Sequence, residues 1–269
     1  MSRPLITLTT DFGLGDNYVG AVKGAILSIC PDAEIIDITH LVAPQDIEHG
    51  TYLTATAWPY FPEASIHVAV VDPGVGTDRR PLLLSSPAAV FIGPDNGVLS
   101  AALPPHIRPE SPGPVVVPKN YNAVVLDDDR FYRATPSHTF HARDIFGPVA
   151  AHVAAGVSIE EIGASTSEII ALPLTTAESD GSVVRGKILH VDTFGNLVSN
   201  IPEAFLTMQR LTVEIAGVSV GGLGRTYGEH DQLFALLTSD GWLAVAQPNG
   251  SASAVLGVGR GEPLLVRLD

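Results

Sequence analysis

The spacing of the apolar positions changes along the chain, and each change predicts a different kind of element. Residues 5–9 form a short apolar run that predicts a strand. Residues 17–29 follow with Val19, Val22, Ile26 and Ile29 at helical spacing. Residues 34–38 predict the next strand, and 46–57 a helix that stops before Pro59. The run 65–71 is almost continuously apolar, as expected of a strand covered on both faces of a parallel sheet. A further strand is expected at 88–92 and a short helix at 96–103. Strands alternating with helices predict crossover units, and so an α/β domain with a mostly parallel sheet and flanking helices.

The pattern then loosens. Residues 104–118 are proline-rich and aperiodic, which predicts a surface excursion. A strand is expected at 123–126, a solvated turn at Asp127-Asp128-Asp129, and a helix over 143–155, where Ile145, Val149 and Val153 share a face. At 174–182 Thr, Ser, Glu, Asp and Gly cluster as a linker. Beyond it come short runs at 183–191, 211–215, 232–237, 242–246 and 263–268, separated by glycine-rich turns and with no long helix. That reads as a small all-β barrel or sandwich. The expected organisation is an N-terminal α/β domain (1–173), a linker (174–182) and a smaller C-terminal β-barrel domain (183–269).

Composition narrows the class. The 269 residues are 45% hydrophobic and only 16% charged, against about a quarter charged in an ordinary soluble chain. No uninterrupted apolar run nears the roughly 18–20 residues that cross a bilayer. The stretch before Asp11 is too short and wrongly flanked for a secretory signal. A cytoplasmic protein with no membrane association and a large core is expected. Fifteen Lys and Arg stand against 29 Asp and Glu, a net charge of −14, and the only basic doublet is Arg79-Arg80. Nucleic-acid binding, which needs a basic patch, is therefore not expected. The single cysteine, Cys30, excludes an internal disulfide or a thiolate zinc cluster, and its apolar setting predicts a buried thiol.

Ligands of open α/β sheets collect beyond the carboxyl ends of the strands. Thr10-Asp11-Phe12-Gly13-Leu14-Gly15-Asp16 falls there, as do Val71-Asp72-Pro73-Gly74-Val75-Gly76-Thr77-Asp78-Arg79 and Gly93-Pro94-Asp95-Asn96-Gly97. Thr139-Phe140-His141-Ala142-Arg143-Asp144 opens the last helix of the first domain. Taken singly, each is ordinary turn or capping chemistry. Asp-Phe-Gly is shared with protein kinases, but no glycine-rich phosphate loop accompanies it. Taken together, they bring Asp, Arg and His to one edge of one sheet, which is what a site requires. In the second domain Asp192-Thr193-Phe194-Gly195-Asn196 suits stacking on a base and hydrogen bonding to its edge, or else a strand with a bulge at Gly195. Residues 237–243 and 249–251 read as hairpin turns.

In order along the chain, Thr-Asp-Phe-Gly (10–13), Val-Asp-Pro-Gly-Val-Gly-Thr (71–77), Gly-Pro-Asp-Asn-Gly (93–97), Phe-His-Ala-Arg-Asp (140–144) and Phe-Gly-Asn-Leu-Val-Ser-Asn-Ile (194–201) resemble one family. These are the S-adenosyl-L-methionine hydroxide adenosyltransferases, relatives of the fluorinase and chlorinase. The resemblance implies an N-terminal α/β domain, a C-terminal β-barrel and a homotrimer. It places the substrate between the N-terminal domain of one subunit and the C-terminal domain of its neighbour. It also implies attack of water or hydroxide on the ribose 5′ carbon of S-adenosyl-L-methionine, giving adenosine and L-methionine with no cofactor and no metal. The family's catalytic triad falls on Asp72, Arg79 and His141. Asp11 would hold the ribose hydroxyls and Asp16 the methionine ammonium, with Asp192 a further ammonium ligand. Phe194 and Asn196 would address the adenine, and Ser239 the methionine end. The halogenating relatives lack the triad, so its presence favours hydroxide over halide. Ala142 stands where members usually carry glycine, and Asp240 where the fluorinase is basic.

The chemistry is coherent from below, because a sulfonium leaves without acid assistance and what remains to be supplied is a positioned nucleophile. Positioning contributes roughly 7–11 kcal/mol in favourable cases, and a general base about 10²–10⁴-fold. Asp72 or His141 can accept the proton, and Arg79 can fix Asp72 or stabilise incipient hydroxide. The rival readings are a halide-using adenosyltransferase, a non-catalytic adenosine- or sulfonium-binding module, and a metal-dependent hydrolase built on Asp72, Asp95, His141 and Asp144.

Overall fold

The computed structural model describes residues 3–173, 177–206 and 211–268. The chain divides into two compact units, Met1–Leu174 and Thr175–Asp269. Of the expected linker, residues 174–176 lie outside the described ones.

In the first unit the strands are β1 (Leu5–Thr10), β2 (Glu34–Thr39), β3 (Ile66–Val70), β4 (Pro81–Ser85), β5 (Val90–Pro94), β6 (Gly113–Val116), β7 (Asn122–Val125), β8 (Ala164–Ser165) and β9 (Glu168–Ala171). Seven of them form one sheet in the order β2-β1-β3-β5-β4-β7-β8. The β2–β1, β1–β3 and β3–β5 pairings are parallel, and β5–β4, β4–β7 and β7–β8 are antiparallel. The α/β class stands, with a sheet that is mixed because the unanticipated strand β4 turns back on β5. Part of the 104–118 excursion is also ordered, since β6 pairs with β9 in a separate ribbon.

Burial follows the alternation of each strand. Ile6, Leu8, Val68, Val70, Leu83 and Ile92 enter one core, with Val22 and Ile26 of helix α1 (Tyr18–Ile29) and Val149 and Ala150 of α3 (Gly147–Ala154). Ala69, Leu82, Leu84 and Phe91 enter the core on the opposite face. Helix α2 (Ile47–Ala57) begins at Asp46, whose side chain accepts from the His49 N–H. Gly50 lets that helix press on the sheet, because a Cβ there would lie 2.7 Å from Val71 Cγ2. Covering both faces of β1 and β3 leaves their carboxyl ends as the open edge.

Among the described residues the second unit comprises β10 (Glu178–Ser179), β11 (Val183–Val191), β12 (Leu197–Pro202), β13 (Leu211–Ile215), β14 (Val218–Gly221), β15 (Leu223–Gly224), β16 (Phe234–Leu237), β17 (Trp242–Ala246) and β18 (Pro263–Leu268), with a short α-helix, α4 (Ala252–Leu256). The strand path runs β14-β13-β18-β11-β12-β17-β16-β15, with β10 beside β11. Its end strands β14 and β15 are joined by the single residue Gly222 at φ +74°, so the sheet curls into a barrel-like form. Val184, Leu197, Val213, Leu243 and Val266 fill its core. Among the described residues no helix is long and apolar enough to cross a membrane.

Candidate active site

Asp72 lies just past the end of β3, and Arg79 near the end of the loop that returns to β4. That loop is a tight turn in which Val75 N–H donates to the Asp72 carbonyl at 3.2 Å and Thr77 Oγ1 to the Gly74 carbonyl at 2.7 Å. Gly76 has φ +79°, and a Cβ there would stand 2.4 Å from the His138 carbonyl oxygen. Only glycine lets this loop approach the segment that carries His141.

The three side chains meet. Arg79 Nε donates to Asp72 Oδ1 at 2.9 Å and Oδ2 at 3.1 Å, and Nη2 donates to Oδ2 as well. The same Nη2 lies 2.8 Å from His141 Nδ1. Both partners of the ion pair are almost fully buried, and Arg79 also lies over the Phe146 ring, 5.2 Å from its centroid. A guanidinium can only donate, so Nδ1 of His141 is the acceptor and its ring proton sits on Nε2. Burial, and then the Arg79 charge, push the His141 imidazole below its ordinary pKa.

Asp144 anchors the turn that follows His141. That fully buried carboxylate accepts from Arg143 Nε at 2.7 Å, from Arg143 Nη2 at 2.8 Å and from the Ser137 N–H at 2.8 Å. Ala142–Phe146 is a π-helical turn leading into α3. Pro148 supplies no N–H to that turn, and the Asp144 carbonyl accepts instead from Arg133 N–H at 3.0 Å, which ties down the start of the loop.

Asp11 follows β1 and shares a cleft of about 270 Å³ with Phe12, Gln45, Asp72, Thr139 and His141. Its Oδ2 accepts from the Gln45 N–H at 2.8 Å, and Gln45 sits at φ +64°. The rings of Phe12, Tyr18 and Phe140 pack edge to face, with centroids 5.3 to 6.1 Å apart. Asp16 is exposed and is not among the residues lining this cleft. Ala142 does line it.

The second unit holds a separate pocket of about 600 Å³ lined by Phe194, Asn196, Tyr227, Gln247, Asn249 and Gly250. Phe194 is 76% exposed, so its ring is free to stack. Asp192 builds the loop. Its Oδ1 accepts from the N–H groups of Phe194 and Asn196 at 2.9 and 2.8 Å, and its Oδ2 from Asn196 Nδ2 at 2.7 Å. Asn196 Nδ2 also lies 3.3 Å from the Tyr227 hydroxyl. Gly195 is at φ +84°, and a Cβ there would lie 2.0 Å from Ser251 Oγ. Ser239 is exposed in the turn between β16 and β17, closed by the Gly241 N–H donating to the Thr238 carbonyl at 3.0 Å. Sequence reasoning did not find Gln45 or Tyr227. Gln45 carries no motif, whereas an aromatic in the glycine-rich stretch 221–228 was a usable signal for Tyr227.

The metal reading loses its ligands to arginine. Asp95 is taken by Arg80, with Nε at 2.9 Å and Nη2 at 2.5 Å, and Asp144 by Arg143 and Arg133. No group of three or more His, Cys, Asp or Glu able to hold a metal ion occurs among the described residues.

A two-unit chain that sets an Asp–Arg–His network in an acid-lined cleft of its α/β unit, and an aromatic–amide pocket on its barrel, has the equipment of a nucleoside-processing enzyme. The family model described as the SAM hydroxide adenosyltransferase N-terminal domain matches residues 6–163, and that of the C-terminal domain matches residues 186–265. The chain belongs to the SAM hydroxide adenosyltransferase family. It is 36% identical to a protein named (R)-S-adenosyl-L-methionine hydrolase from Salinispora tropica, covering 98% of this chain and 97% of the relative. A protein named fluorinase from an Actinoplanes species is 29% identical over 80% of this chain and 75% of its own length. The crystal structure of an uncharacterized conserved protein from Thermotoga maritima superposes with a TM-score of 0.84 at 31% identity, covering 97% and 99% of the two chains.

Proposed function

We propose that this chain hydrolyses S-adenosyl-L-methionine to adenosine and L-methionine. The observation that carries the reading is the Asp72–Arg79–His141 network, whose Asp72 and His141 line the same cleft as Asp11. Greater identity to the hydrolase than to the fluorinase supports it. A water oxygen forms its bond to the ribose 5′ carbon as the carbon–sulfur bond breaks. The bonding pair goes to sulfur, leaving neutral methionine, and one water proton is lost.

The hydrogen-bond directions divide the labour. His141 Nδ1 is occupied by Arg79, so Nε2–H is a donor and orients the attacking oxygen. Asp72 keeps lone pairs beyond those Arg79 engages, because a carboxylate offers about four acceptor positions, and it takes the water proton. Asp11 holds the ribose hydroxyls. Phe194, Asn196 and Tyr227 take the adenine, while Asp16, Asp192 and Ser239 address the methionine portion. The sulfonium supplies its own leaving group, so no cofactor or metal enters the proposal.

The same reading includes a homotrimer, in which a neighbouring copy's C-terminal unit completes each cleft. Its support is the exposure of Leu14 (70%), Tyr18 (46%) and Phe194 (76%), apolar side chains that an isolated copy leaves in water. A cytoplasmic location is part of the reading too.

The test is product analysis with both sulfonium epimers, since the relative's name specifies R. Adenosine and methionine in stoichiometric amounts, with no 5′-haloadenosine in chloride or fluoride buffer, is the expected result. A halogenated nucleoside would transfer the chain to the halide-using branch, and tight binding without turnover would make it a sensor.

A further inference from the structure

Behind the Asp11 loop a chain of polar contacts reaches in from the surface. Lys23 Nζ lies 2.6 Å from Asp37 Oδ2, and His40 Nε2 makes an oblique 3.1 Å contact with Asp37 Oδ1. His40 is buried, and its Nδ1 lies 2.7 Å from Thr10 Oγ1. Thr10 Oγ1 in turn accepts from the Phe12 N–H at 3.3 Å. Donor counting gives the chain a direction. Asp37 can only accept, so the carboxylate beside Nε2 draws the imidazole proton to that nitrogen and leaves Nδ1 to accept the Thr10 hydroxyl proton. Nε2 is buried without a hydrogen-bond partner, so its link to the Asp37 carboxylate, which Lys23 keeps charged, is electrostatic. Burial alone would raise the Asp37 pKa, but the contacts to Lys23 and His40 outweigh it and hold the group below its usual value.

The backbone is clasped at the same place. Gly13 N–H donates to the His40 carbonyl at 2.7 Å, and Val42 N–H to the Thr10 carbonyl at 3.3 Å. Asp11 itself receives the Gln45 N–H at 2.8 Å. Asp11 is therefore bracketed by Thr10, whose hydroxyl meets His40 and whose carbonyl accepts from Val42, and by Gly13, whose N–H donates to the His40 carbonyl.

We propose that Thr10 and His40 are positioning residues for Asp11, setting the orientation of its carboxylate and hence the site's preference for a nucleoside with an intact vicinal diol. The inference rests on the nucleoside reading given above. The diol lies away from the reacting 5′ carbon, so its contacts act on ground state and transition state alike, and their loss appears in KM rather than kcat.

The test uses the full-length chain and isothermal titration with adenosine and 2′-deoxyadenosine, alongside turnover of S-adenosyl-L-methionine. Thr10→Val is expected to weaken adenosine binding and raise KM by about five- to tenfold, the scale of one lost buried hydrogen bond. It should leave kcat within about twofold and narrow the preference for adenosine over its 2′-deoxy analogue. Thr10→Ser should restore all three. Because Thr10 is buried, Asp37→Ala at the exposed end of the chain asks the same question without touching the core, and a narrowed preference is again expected. An unchanged adenosine-to-deoxyadenosine ratio in both Thr10→Val and Asp37→Ala, with wild-type turnover intact, overturns the inference alone. A wild type that neither binds adenosine nor forms it overturns the nucleoside reading together with this one, so the two failures are told apart.

Discussion

Arg79 Nη2 stands 2.8 Å from His141 Nδ1 while its guanidinium is clamped to Asp72, so one cation fixes both the orientation and the tautomer of the imidazole. Lysine cannot reproduce this, because a point charge on a flexible stem lacks the planar fork. Arg79→Lys is expected to lower kcat by about 10²-fold or more, the scale of a mispositioned catalytic group. Adenosine binding, which does not use Arg79, should stay close to wild type. Steady-state kinetics beside titration calorimetry separates the two effects.

Asp72→Asn removes the proton acceptor but keeps a side chain of the same shape. Its kcat is expected to drop by about 10²–10⁴-fold, the usual contribution of a general base. His141→Gln should retain more activity than His141→Ala, because the amide still offers an N–H. Near-wild-type turnover by Asp72→Asn would remove it from the mechanism.

The pH dependence has a definite sign. Burial and the Arg79 charge both disfavour imidazolium at His141, so its pKa lies below 6.5 in the folded chain. The ring therefore remains neutral, and remains an acceptor for Arg79, as the pH falls through 6.5. An acid limb of kcat/KM arising from His141 must lie below that value. A limb at or above it, present in wild type and lost in His141→Gln, would contradict the assignment.

His67 gives a stability prediction away from the site. It is buried against Phe91, bonded to Thr7 Oγ1 at 2.8 Å, and pushed down by burial from 6.5 to about 4. Between those values the unfolded chain takes up a proton that the folded chain refuses. Stability is then fully present above pH 6.5 and falls as the pH drops towards 4, by on the order of 3 kcal/mol. Urea midpoints across that range should fall more steeply for wild type than for His67→Asn. Equal slopes would remove His67 as the cause.

Much of this fold was legible where local pattern and tertiary setting agree. The continuous apolar run ending at Val71 became β3, fully buried as a central strand must be. What escaped was structure defined by distant pairing. Pro81-Leu82-Leu83-Leu84-Ser85 has no alternation and three leucines, residues at home in helices, yet it forms β4 because β5 and β7 flank it. Likewise β6 exists only through β9, more than 50 residues on. The site divides in the same way. Asp72 and Arg79 sit in a loop whose glycines and proline signal a turn, His141 opens the helical segment leading into α3, and the structure brings the three together. Gln45 reaches the cleft through a left-handed backbone conformation held by Asp11, which no local pattern encodes.

The apolar surplus of the sequence also has a physical home. In the first unit a single sheet supports a core on each of its faces, and the barrel adds another. That accounts for a chain of low charge without invoking a membrane.

The central claim is that water is the nucleophile at the ribose 5′ carbon. Turnover of S-adenosyl-L-methionine in oxygen-18 water, followed by mass spectrometry of the nucleoside, tests it most directly. One heavy oxygen in the 5′-hydroxyl of adenosine, and none in methionine, is the result this account requires. Unlabelled adenosine, or label found only in the methionine carboxylate, would contradict it.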